Sequence, residues 1–478
     1  MRRRGLVLAA VLALGGCMVG PDYVRPDAGT PAAYKEMAGW KRAEPRDQLA
    51  RGEWWTMFGD RELDALAARV DVSNQTIRIA EANLRQAQAL AAQARAGLFP
   101  TVSAGASAVR TRSPSGAGAS AVTSNNYDLA ASASWELDVW GRVRRGVEAG
   151  EANWQASAAD LEAARLSTQA ALVQTYIALR VADAQRRLLD ETVAAYERSL
   201  QLTRNRYAAG VAAKVDVVQA EVQLQSAQAQ RVDVGLDRAQ LEHAIAVLVG
   251  VPPADLSIAP ATAVVAVLPA IPVGVPSELL ERRPDIAAAE RAVAAANARI
   301  GVAQAAFYPS LTLSAAGGYR SGSFADWLSA PSWFWSLGAA LAQTLFDGGL
   351  RRAVSDQAIA AYDGQVAEYR QTVLAGFQEV EDNLAALRIL AEEARYLEEA
   401  TRAARQSVEL TTNQYNAGIV SFLNVIAAQT IALNNERTLL SVQGRRFGAS
   451  VQLVRALGGG WDARALEAVR LSARPGDR

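Results

Sequence analysis

The chain has one cysteine and one histidine among its 478 residues, and each scarcity excludes a class of protein. Without a second cysteine, the chain cannot form an internal disulfide framework. The single histidine, His243, is interpreted as an ordinary helix residue rather than a metal ligand. The sequence also lacks H-E-x-x-H, G-x-S-x-G and P-loop motifs. We therefore expect no active site, no metal and no bound cofactor.

Net charge and long apolar runs are absent as well. The 49 basic and 49 acidic residues balance, and no basic patch stands out, which argues against a nucleic-acid partner. Beyond the N-terminus no apolar run approaches the ~18 residues of a transmembrane helix. Half of the residues are hydrophobic, so the chain can still bury a large core. If it crosses a membrane, it must do so as a closed β-barrel.

The only cysteine, Cys17, lies just after a short export signal. Basic residues Arg2–Arg4 precede a short apolar run, Leu6–Leu14, which is typical of a signal peptide over residues 1–16. The run ends in L-G-G-C, which resembles a bacterial lipobox, so Cys17 is predicted to carry a covalent lipid. Met18, in place of aspartate, is compatible with delivery to the outer membrane. The alternative is a stray thiol within a discarded signal.

The remainder of the chain contains an internal duplication. "RYAAGVAAKVDVVQAEVQL" begins at Arg206, and "QYNAGIVSFLNVIAAQTIAL" begins at Gln414, about 208 residues later. "IRIAEANLRQAQALAAQARAGLFP" from Ile77 matches "IAAAERAVAAANARIGVAQAAFYP" from Ile286 in the same way. This duplication predicts four parts after the signal: an N-terminal lipid-anchored segment, a first structural repeat, a second repeat and a C-terminal tail. Their bounds are 17–70, 71–276, 277–457 and 458–478.

Each half is predicted to contain a helix, two strands, a long helix, a turn and a medium helix. The predicted helices lie near 71–98, 140–208, 214–249, 284–307, 349–416 and 422–457. A heptad-type apolar stripe on the long helices indicates knobs-into-holes packing, although a soluble coiled-coil bundle would show it too. At ~1.5 Å per residue, each long helix would span on the order of 100 Å, about three times the thickness of a bilayer core. Trp54 and Trp55 are interpreted as packing the N-terminal segment against the helices.

Four segments with alternating polarity begin at Thr101, Tyr127, Pro309 and Trp333. Strands of ~10 residues that are apolar outward and polar inward are typical of an outer-membrane barrel, although a soluble sandwich also alternates. Loops 111–126 and 321–332 would be external. Three tryptophans near the strand ends suit an aromatic girdle: Trp135, Trp333 and Trp335.

Four strands cannot close a barrel, and open edges are costly in lipid, so the barrel would have to be shared between chains. Two chains would give eight strands around a filled interior, whereas three would give twelve strands and room for a conduit.

Several motifs together resemble one family across essentially the whole mature chain. They are "CMVGPDYVRP", "GEWWTMFGDRELDALAARV", "LLERRPDIAAAERAVAAANARIGVAQAAFYPSLTLSA" and two Y-x-x-G turns. The chain resembles the outer-membrane factors of tripartite efflux systems, the TolC-like proteins, and among them the NodT or OprM-type lipoproteins.

The resemblance implies an α+β membrane protein in the bacterial outer membrane. The implied assembly is a homotrimer, with a twelve-stranded transmembrane β-barrel to which each protomer gives four strands. A long periplasmic α-helical coiled-coil barrel continues it. The implied partners are a periplasmic adaptor, or membrane fusion protein, and an inner-membrane pump, often of the resistance-nodulation-division type. The implied function is a passive exit duct for small amphiphilic compounds.

The resemblance also assigns roles to the two helical turns. Tyr207 and Gly210 in the first turn, with Tyr415 and Gly418 in the second, would lie at the periplasmic tip, where the adaptor docks. Glycine suits these turns because it adopts positive φ without steric cost.

A gate at this tip is implied for Asp216, Tyr415 and Asn424. In the family, a tyrosine at the position of Tyr415 bonds an aspartate at the position of Asp216 and holds the tip closed. The alternative is that both tyrosines only fill the heptad seam. This sequence has Val420 where some members are basic, and it has Asn424 and Ala427 where some carry an aspartate ring, so a cation-attracting ring is not expected.

Two other functions fit parts of the pattern. The same architecture serves protein export, although export-type relatives often lack a lipobox. A lipid-anchored coiled-coil scaffold would also carry the heptads, but it would not need tryptophan-flanked alternating strands.

Overall fold

The computed structural model describes residues 18–36, 53–114, 121–261, 268–269, 271 and 279–461. The predicted signal peptide, Cys17 and most of the predicted C-terminal tail lie outside these ranges. The described residues form eight α-helices: α1 (Arg61–Ser73), α2 (Gln75–Ala96), α3 (Arg142–Ala208), α4 (Lys214–Leu248), α5 (Leu279–Arg282), α6 (Pro284–Ala305), α7 (Leu350–Asn416) and α8 (Phe422–Ala456). They also form four strands: β1 (Thr101–Ser113), β2 (Val122–Leu137), β3 (Ser310–Ser321) and β4 (Trp333–Ala342).

The predicted order of elements is confirmed, and the two long helices, α3 and α7, each contain 67 residues. The predicted helix at 71–98 is wrong at its start, because α1 and α2 are separated there by Asn74. The Asn74 backbone is extended (φ −64°, ψ 129°). Its side-chain oxygen accepts the backbone N–H groups of Thr76 and Ile77, at 2.8 and 3.1 Å. Asn74 therefore ends one helix and caps the next.

Two glycines at equivalent positions of the duplication follow the C-terminal ends of α4 and α8. Gly250 and Gly458 both have positive φ, +74° and +89°. A Cβ on Gly250 would lie 2.2 Å from the Ser73 carbonyl oxygen, and one on Gly458 would lie 2.0 Å from that of Arg282. Only glycine can occupy either position, because both the backbone angle and the close approach exclude a side chain.

The chain divides into two compact units. The first contains the residues up to Asp27, Asn83–Ala158 and Ala288–Arg370, and it includes the sheet. The second contains Ala28–Ala82, Ala159–Ala287 and the residues from Gln371 onward, and it includes both helical turns.

In the first unit, Arg145 of α3 holds the N-terminal segment in place. Its buried guanidinium donates to the carbonyl oxygens of Val19 and Gly20 at 3.2 and 3.1 Å. It also pairs with Asp22 at 2.9 Å and Glu148 at 2.8 Å. Burial opposes the charge on Arg145, but the two carboxylates outweigh it and raise its pKa. The V-G-P-D segment after Met18 is therefore an ordered part of this unit.

In the second unit, the predicted packing role of the two early tryptophans is confirmed. Trp54 and Trp55 are buried, and the Trp54 indole N–H donates to the Gln169 side-chain oxygen at 3.2 Å. A buried ion network lies in the same unit, where Asp183 accepts from Arg238 at 2.7 Å and from Arg180 at 3.1 Å. Among the described helices, none combines the length and the apolar character needed to cross a bilayer.

Candidate functional site

The sheet of the first unit has one face that is mainly apolar on all four strands; the polar exceptions include Arg110 and Arg112 of β1 and their partners Asn125 and Thr123 of β2, at one end. The strands are antiparallel in the order β1-β2-β3-β4, and directly paired residues share a face. The apolar face comprises Val102, Ala104, Ala106 and Ala108 of β1; Tyr127, Leu129, Ala131, Ala133, Trp135 and Leu137 of β2; Leu311, Leu313, Ala315, Gly317 and Tyr319 of β3; and Trp333, Trp335, Leu337, Ala339 and Leu341 of β4. Within one chain the large side chains of β4 on this face are exposed.

The opposite face carries mainly small or polar side chains, with apolar exceptions such as Val109 and Phe334. The Ser103 and Ser132 hydroxyls hydrogen-bond across β1 and β2 at 2.9 Å. Arg320 of β3 pairs with Asp128 of β2 at 2.6 Å. Gly318 also lies here, and a Cβ on it would come 2.1 Å from the Leu129 carbonyl oxygen. The predicted separation of apolar and polar faces is therefore present.

The three girdle tryptophans lie near opposite ends of the sheet. Trp135 is close to the C-terminal end of β2 and pairs in register with Leu313, near the start of β3. Trp333 and Trp335 begin β4 and pair with the other end of β3. Tryptophans at the two ends of a sheet suit the two interfaces of a bilayer, and the role of these three as an aromatic girdle stays a prediction.

Both outer strands have an unpaired edge within one chain. Among the described residues, β1 pairs with β2 alone and β4 pairs with β3 alone. Their outward backbone N–H and C=O groups are therefore free to pair with another strand.

The second unit contains the two helical turns, which have nearly identical backbones. Gly210 has φ +74° and Gly418 has φ +75°. The N–H of Val211 donates to the Arg206 carbonyl oxygen at 2.8 Å, and the N–H of Ile419 donates to that of Gln414 at 2.9 Å. These are the bonds of a Schellman-type helix end, in which glycine supplies the left-handed residue.

The two tyrosines that precede these glycines differ in environment. Tyr415 is 4% exposed, and its ring centroid lies 5.2 Å from that of Phe422. Tyr207 is 46% exposed, with the Lys214 ammonium 5.6 Å from its ring centroid. Only Tyr415 belongs to the apolar tip cluster, defined as Val193, Tyr196, Leu200, Val217, Ala220, Leu224, Ala227, Tyr415, Phe422 and Val425.

The three predicted gate residues lie on the same pair of turns, but they do not bond to one another in the single chain. The Asp216 carboxylate accepts the backbone N–H of Ala213 at 3.3 Å, at the start of α4. The Tyr415 hydroxyl is buried and has no hydrogen-bond partner among the described residues. Asn424 is exposed near the start of α8. The bond between Asp216 and Tyr415 therefore stays a prediction.

Sequence reasoning missed Arg206, which starts the first quoted repeat. Its guanidinium donates to the carbonyl oxygens of Tyr415 and Asn416, each at 3.0 Å. It also lies 4.6 Å from the centroid of the Tyr415 ring. The one signal in the sequence is that the other copy carries glutamine, Gln414, at this position.

A second cation in the first turn has a local partner instead. Arg204 pairs with Glu221 of α4 at 2.8 Å, with both side chains well exposed. Its hydrogen bond lowers the pKa of the Glu221 carboxyl.

Both copies of the duplication match the profile of one protein family, described as "Outer membrane efflux protein", over residues 66–251 and 275–459. The chain belongs to this family. It is 34% identical to the antibiotic efflux pump outer membrane protein ArpC of Pseudomonas putida over 469 residues, which cover 96% of each chain. It has the same identity and coverage with the toluene efflux pump outer membrane protein TtgC, also of Pseudomonas putida. The solved outer-membrane channel OprN superposes with a TM-score of 0.87 at 32% identity, over 93% of this chain and all of OprN.

These likenesses confirm the family, the TolC-like fold and the outer-membrane location that the motifs indicate. The protein is the outer-membrane component of an efflux pump. The sheet and the two helical turns are thus parts of one efflux channel protein.

Proposed function

We propose that the protein is the exit duct of a tripartite pump and passively conducts small amphiphilic compounds, such as antibiotics and toxic organic molecules, to the exterior. The relatives named for antibiotic and toluene efflux match the chain over nearly its whole length, which supports this class of cargo. A duct of this kind binds its cargo weakly and needs no catalytic residue. Cargo selection then rests with the pump.

The functional form is a homotrimer with a shared twelve-stranded barrel. The observation that carries this proposal is the four-stranded sheet with one apolar face and two unpaired edges. In lipid, each unsatisfied backbone group costs several kcal/mol, so β1 of one copy would pair with β4 of the next until the ring closes. Three copies give twelve strands, with the polar face lining the conduit.

The lipid predicted on Cys17 would anchor each protomer to the outer membrane. We expect the lipid to add to the hold of the barrel in the membrane.

The two helical turns are the docking surface for a periplasmic adaptor, and an inner-membrane pump of the resistance-nodulation-division type would feed it. Val211 and Ile419, which directly follow the two glycines, are 65% and 73% exposed. Isolated exposed apolar residues are common, but a pair on matching turns supports a recognition role. Asp216, Tyr415 and Asn424 would form the gate beside this surface.

The proposal is tested with the full-length protein in planar bilayers and in a strain from which the gene is deleted. We expect trimers that resist dissociation in detergent, ion conductance in bilayers, and restored resistance to hydrophobic antibiotics on complementation. Cysteines introduced along β1 and β4 should form disulfides between chains. A mature protein that is monomeric and water-soluble without detergent would contradict the proposal.

A further inference from the structure

The Arg206 side chain reaches from one helical hairpin to the other. The first hairpin is α3, its turn and α4; the second hairpin is α7, its turn and α8. Arg206 lies in the last turn of α3, yet its Nη1 donates to Tyr415 and Asn416, the last two residues of α7. This contact joins residues more than 200 positions apart in the chain.

The end of α7 is short of positive charge. The last carbonyl oxygens of a helix have no partner within the helix, and they carry the negative end of its dipole. The last turn of α7 contains no basic residue of its own. Arg206 therefore supplies from the first hairpin the cation that the last turn of α7 lacks.

The same guanidinium also covers the Tyr415 ring, at 4.6 Å from its centroid. The ring is buried in the tip cluster between residues of both hairpins, such as Leu200 and Phe422. Arg206 thus fixes both the backbone oxygen and the aromatic face of one residue. A planar guanidinium offers donors at its edge and a stacking face at once, which a lysine ammonium does not.

Within the described ranges, no side chain of the second hairpin donates to the last carbonyl oxygens of α3 in the same way. The repeat-equivalent residue, Gln414, is exposed on the second hairpin. At the end of α3, the Tyr207 carbonyl oxygen, which is equivalent to that of Tyr415, accepts the local N–H of Gly210 at 2.9 Å. The Tyr415 carbonyl oxygen accepts the local N–H of Gly418 at 3.0 Å and the Arg206 guanidinium in addition. Among the described residues, Arg206 therefore makes a one-way contact at the ends of the hairpins, whereas the hydrogen bonds from Gln223 to Thr430 and from Arg437 to Gln230 join α4 and α8 farther along.

We propose that Arg206 is a latch: it ties the first hairpin to the end of the second and positions Tyr415, so that the two hairpins of one chain move as one body. Loosening the latch lets the hairpins separate and favours the open tip. The proposal rests on the proposed duct function, and it adds a positioning residue to the gate. A residue that only stabilised the fold would lower the melting temperature without changing how often the tip opens.

The test uses Arg206→Gln, which installs the residue of the other copy, in the full-length trimer in planar bilayers. The matched control is Arg204→Gln, which removes a neighbouring cation whose partner, Glu221, lies within the first hairpin. Hydrogen bonds to charged groups are among the stronger ones. We expect Arg206→Gln to raise the open probability roughly tenfold, equivalent to about 1.4 kcal/mol, and the control to gate like the wild type.

A distance measurement separates a latch from general stabilisation. Spin labels on Val211→Cys and Ile419→Cys, in trimers diluted to one labelled chain, report the spacing of the two turns. We expect one narrow distance in the wild type and the Arg204→Gln control, and a broad distribution with Arg206→Gln. Unchanged gating and an unchanged distance in Arg206→Gln would overturn the proposal.

A second variant covers the case in which Arg206→Gln does not assemble. Arg206→Lys keeps the charge but loses the planar guanidinium, so it should open more often than the wild type and less often than Arg206→Gln. If Arg206→Lys gates like the wild type, the latch is wrong. If the wild type itself never conducts, the duct function fails, whatever the behaviour of Arg206.

Discussion

The two helical turns of the second unit share a backbone but differ in chemistry. Gly210 and Gly418 have φ values within one degree of each other, and equivalent hydrogen bonds close both turns. Yet Lys214 begins the helix after the first turn, whereas Phe422 begins the helix after the second. Duplication has therefore preserved the turn geometry, which glycine controls, while the side chains have diverged.

The divergence makes the two turns complementary. The first turn provides a cation, Arg206, and the second provides the carbonyl oxygens and the aromatic ring that receive it. Phe422 packs on Tyr415 and helps to bury it, whereas Lys214 leaves Tyr207 exposed. Two copies of one sequence motif can thus become the two sides of one contact.

The largest expected effect comes from removing the Phe422 ring, which packs on Tyr415 in the second turn and has no aromatic equivalent in the first. Phe422 is 2% exposed in the tip cluster, so Phe422→Ala should leave a cavity and cost about 3–5 kcal/mol of unfolding free energy. Thermal melting of the purified protein in detergent measures the loss. Lys214→Ala, at the equivalent position, is the control and should melt close to the wild type. Equal losses in the two variants would show that the turns are not chemically distinct.

The next largest effect is expected at the two glycines, whose substitution tests whether the two turns have equivalent backbones. Gly210→Ala and Gly418→Ala should each cost ~1–2 kcal/mol, because alanine in a left-handed conformation brings its Cβ against the backbone. A Cβ at either position would meet no other atom within 4 Å, so only the backbone angle is at issue. Gly235→Ala, inside α4 with equally open space, should instead be neutral or stabilising. Clearly unequal losses at the two turns would contradict the equivalence of their backbones.

A smaller effect is expected in gating, where the two turns should again differ. Tyr415→Phe combined with Asp216→Ala should raise the ion conductance of the protein in planar bilayers, because it removes the predicted bond that keeps the tip closed. Tyr207→Phe, the equivalent change in the first turn and outside the predicted gate, is the control and should conduct like the wild type. Unchanged conductance in the first double variant would count against a lock at these residues.

The elements that could be predicted from the sequence are those fixed by local patterns. Helices α3 and α7 begin and end within two residues of the predicted bounds, because the heptad stripe and the following glycine are both local signals. The break at Asn74 was not predicted, since it depends in part on a hydrogen bond from Asn74 to the Leu248 carbonyl oxygen, 174 residues away. The Arg206 contact escaped prediction for the same reason. A comparison of the two copies reveals that Arg206 and Gln414 differ, but not which atoms they reach.

The smallest expected effect concerns the exposed pair of Arg204 and Glu221, which the second copy replaces with uncharged Thr412 and Gln429. The hydrogen bond from Arg204 lowers the pKa of Glu221 in the folded protein, so its contribution to stability is present above the unfolded pKa of about 4.3. The contribution is lost as the pH falls through the lower, folded pKa. Glu221→Gln should therefore melt slightly below the wild type at pH 7, and the difference should vanish in strong acid.

Gln429→Glu supplies the control: with no arginine at position 412, the new carboxylate should bring no gain at pH 7. A Glu221→Gln melting difference that grows as the pH falls would contradict this sign, and it would show that the charged pair is not what distinguishes the first turn from the second.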